Sequence, residues 1–174
     1  LDSVSMIMNA GYLTYDYWSG SYVVEKDSKY GLLDKTGKMI YEPIYEKIYF
    51  YKNCATGFIP GEEFDNDVAI LSNDGRTDGK KFYVSVFSID NYLLGVRNRN
   101  TANELKYAAI SPTTLKVLTD YKYHEYRVAT YKNVPYMVGV VTFYDNNDNL
   151  RRYYEIVYND KVLDSRTIAG GECN

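Results

Sequence analysis

The sequence predicts an all-β chain of antiparallel meanders, and three observations carry that prediction. Short apolar runs alternate with Gly, Asn, Asp and Ser at close intervals, the mark of hairpins and not of βαβ units. No segment sustains a 3.6-residue apolar period, so almost no helix is expected. One ribbon, residues 30–48, recurs in weakened form with anchors at Tyr30, Val68 and Tyr107, 38 and 39 residues apart. A period of that size implies one supersecondary unit per repeat, stacked on its neighbours to bury an apolar face.

The first strands are expected at 3–9 and 12–18 around Ala10-Gly11, and at 22–25 after Ser19-Gly20. The polar residues 26–29 form a hairpin loop into Tyr30-Gly31-Leu32-Leu33. In Asp34-Lys35-Thr36-Gly37 the carboxylate can accept from its own backbone and Gly37 can take positive φ. Met39 and Ile40 resume the apolar run, and Pro43, lacking an N–H, marks an edge or an exit. Residues 45–52 alternate, with Tyr45, Tyr49 and Tyr51 on one face, and 54–59 is a further strand. An acidic loop, 60–67, precedes Val68-Ala69-Ile70-Leu71 and the turn Asp74-Gly75-Arg76. Residues 81–89 are apolar on both faces, as in an interior strand, and 92–97 comes next. Strands at 121–131, 136–144, 150–158 and 162–168, joined by Asn/Asp turns, predict a closing four-stranded meander. Residues 143–150 are a fourth echo of the ribbon, and 169–174 a tail.

A chain of 174 residues reads as a single domain, 1–174, with repeat units near 22–59, 60–97, 98–133 and 134–168. Their closure is expected to be a propeller-like ring or a curved stack, with a β-sandwich as second choice. A net charge of −3 without a basic stripe argues against nucleic acid or an anionic membrane as partner. No apolar run reaches membrane-span length and no secretory leader is recognisable. The chain begins at Leu1, which reads as a processed fragment. Cys54 and Cys173 form no C-x-x-C pair; they are either two free thiols or a disulfide tying the C-terminus to the first third.

Residues 30–48 resemble the WG-repeat family. Gly31, Asp34, Gly37, Lys38, Pro43, Tyr45 and Ile48 occupy the family's characteristic places, with Tyr30 standing for the naming Trp. The Val68 unit lacks the Gly that comes after the aromatic position. The Tyr107 unit has Ala108 for Gly31, Ser111 for Asp34 and no Pro at its exit. The resemblance implies tandem β-units, a bacterial origin and an extracellular or envelope location. It implies no known catalytic residues; the sequence itself carries no cofactor fingerprint, so no cofactor is expected.

Candidate chemistry is sparse. His124 is the sole histidine and has no nucleophile motif around it. Asp145-Asn146-Asn147-Asp148-Asn149 begins like a calcium loop but has Leu150 in place of Gly and Ile156 in place of the bidentate Glu, so a hairpin turn is expected and no metal. Glu62, Glu63, Asp65 and Asp67 could serve a glycan hydrolase, the alternative to a non-catalytic reading. The 21 tyrosines suit strands, and also aromatic surfaces for protein or glycan. The candidate binding residues are Tyr45, Tyr49, Tyr51, Tyr121, Tyr123 and Tyr131. The expected function is a non-enzymatic binding or scaffold module of a bacterial envelope or secreted protein; a structural subunit of an oligomer is a further alternative.

Overall fold

The computed structural model describes residues 13–52, 54–60, 66–89, 92–158 and 160–169. The strand expected at 3–9, the acids Glu62, Glu63 and Asp65, and the tail from 170 with Cys173 lie outside them. The described residues hold fifteen strands and no helix. The fold is all-β, and every strand pairing is antiparallel.

The chain divides into two compact units between Val84 and Ser85. In the first unit, β1 (Leu13–Trp18), β2 (Ser21–Lys26), β3 (Lys29–Asp34) and β4 (Met39–Tyr45) form one meander. β5 (Lys47–Phe50), β6 (Ala55–Pro60), β7 (Asn66–Leu71) and β8 (Phe82–Tyr83) form a second. In the second unit, β9 (Ser85–Ile89), β10 (Tyr92–Arg99) and β11 (Leu105–Ala109) make a sheet extended by two isolated bridges, Ile110 to Val117 and Tyr107 to Tyr123. β12 (Glu125–Tyr131), β13 (Val134–Tyr144), β14 (Leu150–Tyr158) and β15 (Lys161–Ala169) form the closing meander.

The anchors recur in space. Tyr30 pairs with Tyr45, Val68 with Tyr83 and Tyr107 with Tyr123, in each case joining the third strand of a meander to the next stretch of chain. Leu33 pairs with Met39 as Ile110 pairs with Val117. The Asp34 N–H donates to the Lys38 carbonyl at 2.8 Å, and the Ser111 N–H to the Lys116 carbonyl at 2.8 Å. The fourth echo differs: Asp145 begins the turn between the second and third strands of its sheet, so its turn chemistry matches but its place does not.

That turn chemistry is used three times among the described residues. The Asp34 carboxylate accepts from the N–H groups of Thr36 and Lys38 at 2.8 and 3.0 Å. The Asn100 side-chain oxygen accepts from Ala102 and Glu104 at 2.9 and 3.0 Å. The Asp145 carboxylate accepts from Asn147 and Asn149 at 2.9 and 3.0 Å. The fourth residue of each loop is left-handed: Gly37 (φ 86°), Asn103 (61°) and Asp148 (58°). Gly, Asn and Asp tolerate that region at least cost. The two-residue turns Asp27-Ser28 and Lys132-Asn133 have both φ positive, which matches the twist of their strands.

Three strands expected as continuous are each cut in two. Residues 45–52 break at Glu46, 81–89 at Val84 and 121–131 at His124, and each break is a passage from one sheet to the next. Each comes directly after a buried tyrosine: Tyr45, Tyr83 or Tyr123. The residue after Tyr45, Glu46, donates its N–H to the Phe58 carbonyl at 2.7 Å; the residue after Tyr123, His124, donates to the Val140 carbonyl at 2.8 Å. A Cβ on Gly57 would fall on the Tyr45 ring, and one on Gly139 on the Tyr123 ring. Glycine at those places lets the phenol ring lie flat on the next sheet's backbone. The two cores form there: Leu32, Tyr41, Tyr45, Ala55 and Leu71 in the first unit, and Ala109, Tyr123, Met137 and Val157 in the second.

Candidate functional site

The last meander has the longest strands among the described residues, 11 residues in β13 and 9 in each of β14 and β15. Gly139 meets the Tyr123 ring and Met137 and Val157 belong to the core, so alternation sends their neighbours to the opposite face. Register places Tyr131 of β12, Tyr136 and Tyr144 of β13, and Tyr154 and Tyr158 of β14 on that outer face. Val138 and Ile156 stand opposite each other among them. Tyr136 and Tyr158 lie side by side, with ring centroids 4.8 Å apart. Tyr131 is 62% and Tyr144 71% exposed, the most open aromatics among the described residues. The Lys132 ammonium sits 5.2 Å from the Tyr131 ring centroid.

The inner face holds a polar network. Tyr123, fully buried, donates its hydroxyl to Glu155. Glu155 also accepts from the Tyr153 hydroxyl at 3.0 Å and pairs with Lys122 at 2.9 Å. Burial alone would raise the Glu155 carboxyl. The hydrogen bonds from Lys122, Tyr123 and Tyr153 outweigh it and hold the group below its ordinary value. Burial, reinforced by the Glu155 charge, pushes the Tyr123 phenol up. Both carboxylate oxygens are thus engaged within the network, Oε1 by Lys122 and Tyr153 and Oε2 by Tyr123.

The tyrosines singled out from sequence are thereby sorted. Tyr45 and Tyr123 are core residues, 1% and 0% exposed, and not surface. Each is large enough to fill the joint between two sheets and has a buried acceptor for its hydroxyl, the Gly79 carbonyl at 2.8 Å for Tyr45. Tyr49 is exposed on β5 and stands edge-on to Phe58, with centroids 5.2 Å apart. Tyr51 is half-buried after β5, its N–H donating to the Cys54 carbonyl. The passage at Glu46 separates Tyr45 from Tyr49 and Tyr51, so the three share no face of one strand. Tyr121 is half-buried ahead of the last meander, and its phenol is raised by burial. Of the second cluster only Tyr131 lies on the outer face. The outer face also holds Tyr136, Tyr144, Tyr154 and Tyr158, which the period-two spacing of the closing hairpins carries.

The remaining candidates fall into structural roles. His124 sits at a bend, not within a strand, and its Nδ1 accepts the Thr142 N–H at 3.2 Å. Burial and the neighbouring Lys106 hold its imidazole below the ordinary value. The Asp145 carboxylate is taken up by two backbone N–H groups and by Arg151 Nε at 2.9 Å, which hold it down at about 2. No group of three metal-ligating side chains occurs among the described residues. Cys54 is a buried free thiol pushed up to about 12 by burial; Cys173, the other cysteine, lies outside the described residues. Asp67 belongs to β7, and the other three acids of its cluster are not among the described residues. No described helix is long and apolar enough to cross a membrane. Comparison with family models, curated proteins and solved structures found no match to this chain.

Proposed function

We propose that this chain is a non-catalytic β-repeat module of the WG-repeat kind, which binds protein or glycan on the outer face of its last meander. One observation carries the reading: register gathers Tyr131, Tyr136, Tyr144, Tyr154 and Tyr158 on one face of a four-stranded sheet, with Tyr131 and Tyr144 largely open. Tyrosine offers a wide, rigid contact surface at the cost of two torsions, with a hydroxyl for hydrogen bonding, which suits protein surfaces and sugar rings alike. The pairing register sets the spacing of these positions on the sheet, so the face is laid out before anything binds. The resemblance of residues 30–48 supports a place in a bacterial envelope or secreted protein.

The test compares the wild type with a Tyr131→Ala/Tyr144→Ala double variant on a glycan array and against envelope proteins of the source cell. Both positions are exposed, so the fold is expected to survive the change. Loss of a wild-type ligand in the variant supports the reading. Retention of every ligand at unchanged affinity retires it.

A further inference from the structure

We propose that the edge of β15 away from β14 pairs antiparallel with the same edge of a second copy of this chain, about a two-fold axis at Ser165. The pairing uses the rim of the last sheet and does not depend on a ligand on its outer face.

β15 has one neighbour, β14, among the described residues, and at 9 residues it is the longest strand at the edge of any described sheet. A strand edge offers its outward N–H and C=O groups to any chain that can run beside it, and folded proteins blunt such edges by shortness, by proline or by bulges. β5 and β8, the two edges of the second sheet, have 4 and 2 residues, and β4 carries Pro43. β15 contains no proline, and its one irregularity is near its start. Ile156 pairs with Asp164 and Val157 with Val162, which leaves Leu163 without a partner position on β14. From Asp164 to Ala169 the register is unbroken. This rim is also open to solvent: Lys161 and Ser165 are exposed, as are the apolar Val162 and Leu163 at 47% and 53%.

The order of residues in β15 suits a second copy of itself. When a strand pairs antiparallel with itself about one residue, positions equally far before and after that residue stand opposite each other, and each such pair occurs twice. About Ser165, the acidic Asp164 stands opposite the basic Arg166 of the second copy, and Leu163 opposite Thr167. Moving the axis by one residue destroys the match. About Asp164 two aspartates meet, and about Arg166 two arginines meet. Opposite charges directly across a strand pair stabilise it and like charges oppose it, so the sequence favours one register. The joint is short, so the dimer is expected to be a weak, reversible one.

The experiment follows the full chain by sedimentation equilibrium between about 1 μM and about 1 mM, the range that suits so small a joint. A monomer–dimer equilibrium that weakens with added salt is expected. The amides of residues 163–167 should exchange with deuterium more slowly as concentration rises. Arg166→Asp sets like charges opposite each other twice and should weaken the dimer about tenfold or more. Asp164→Arg/Arg166→Asp restores opposite charges in the same register and should return the affinity to within about threefold of the wild type. Pairing of β15 with β12 of a second copy does not predict that rescue. Leu163→Lys, at an exposed position, should weaken the dimer severalfold and serves as the test should a charge variant not fold. A monomer throughout the range, a dimer that Arg166→Asp leaves intact, a charge exchange that fails to restore it, or affinity unchanged in Leu163→Lys would overturn the proposal.

Discussion

Tyr45 and Tyr123 do the same mechanical work in the two units and satisfy their hydroxyls in opposite ways. Each ends the chain's passage through one sheet, lies on a glycine of the next, and sits in a core. Gly57 pairs with Ala69 on the adjoining strand, and Gly139 with Glu155. Alanine offers no acceptor, so the first unit folds residues 72–81 back until the Gly79 carbonyl reaches Tyr45. That segment is further pinned by Tyr41, whose hydroxyl donates to the Thr77 carbonyl at 3.0 Å and accepts the Ser72 N–H at 3.0 Å. In the second unit β14 turns straight into β15 and no such segment exists, so a carboxylate on the neighbouring strand does the job. The joint dictates a buried phenol; the acceptor is whatever the local chain can bring.

Tyr45→Ala and Tyr123→Ala each empty the space between two sheets and should cost about 3–5 kcal/mol in chemical denaturation. A near-neutral result at either position would mean that the joint does not depend on its ring. Removing only the hydroxyls should separate the units. Tyr123→Phe leaves a buried carboxylate short of a donor and should cost about 1.5–3 kcal/mol. Tyr45→Phe loses a neutral bond to a carbonyl and should cost about 0.5–1.5 kcal/mol. Equal losses would mean that a charged and a neutral acceptor serve the two joints alike.

Acid should act on the second unit through this network. The folded Glu155 carboxyl lies below its ordinary 4.5, so its contribution is present above that pH and fades as pH falls through the depressed folded value. Glu155→Gln should flatten this part of the acid limb in a pH series of melting temperatures. The smallest effects are at the turns. Gly37→Ala forces a side chain to φ 86° and should cost about 1 kcal/mol or more. Asn103→Gly, where the left-handed residue is already tolerated, should change stability by less than about 0.5 kcal/mol.

Much of this architecture is legible in the chain. Asp34 to Gly37 announces its turn, and the Tyr30 and Tyr107 anchors announce a recurrence that the pairings with Tyr45 and Tyr123 display. What period-two reading misses is the passage between sheets. At Glu46, Val84 and His124 the apolar alternation continues without a Gly or Pro, yet the chain leaves one sheet for another. Alternation reports which residues are buried and not against which sheet. The same limit misdirects the choice of tyrosines. Tyr45, Tyr49 and Tyr51 share a face only if their run is one unbroken strand, whereas the outer face is assembled across hairpins. Tyr136 meets Tyr158 only because the turn between β13 and β14 sets that register.

Six of the seven side chains of β12 are exposed, with Val128 the half-buried exception, and its sheet gives it one neighbour, β13. A strand that hides so little is held mainly by its ladder, and its amides should exchange with deuterium well before those of β13 and β14. Loosening of β12 would also lift Tyr126 from Phe87. Solvent entering at this edge would thus reach the Phe87–Tyr126 ring stack, whose centroids lie 3.8 Å apart.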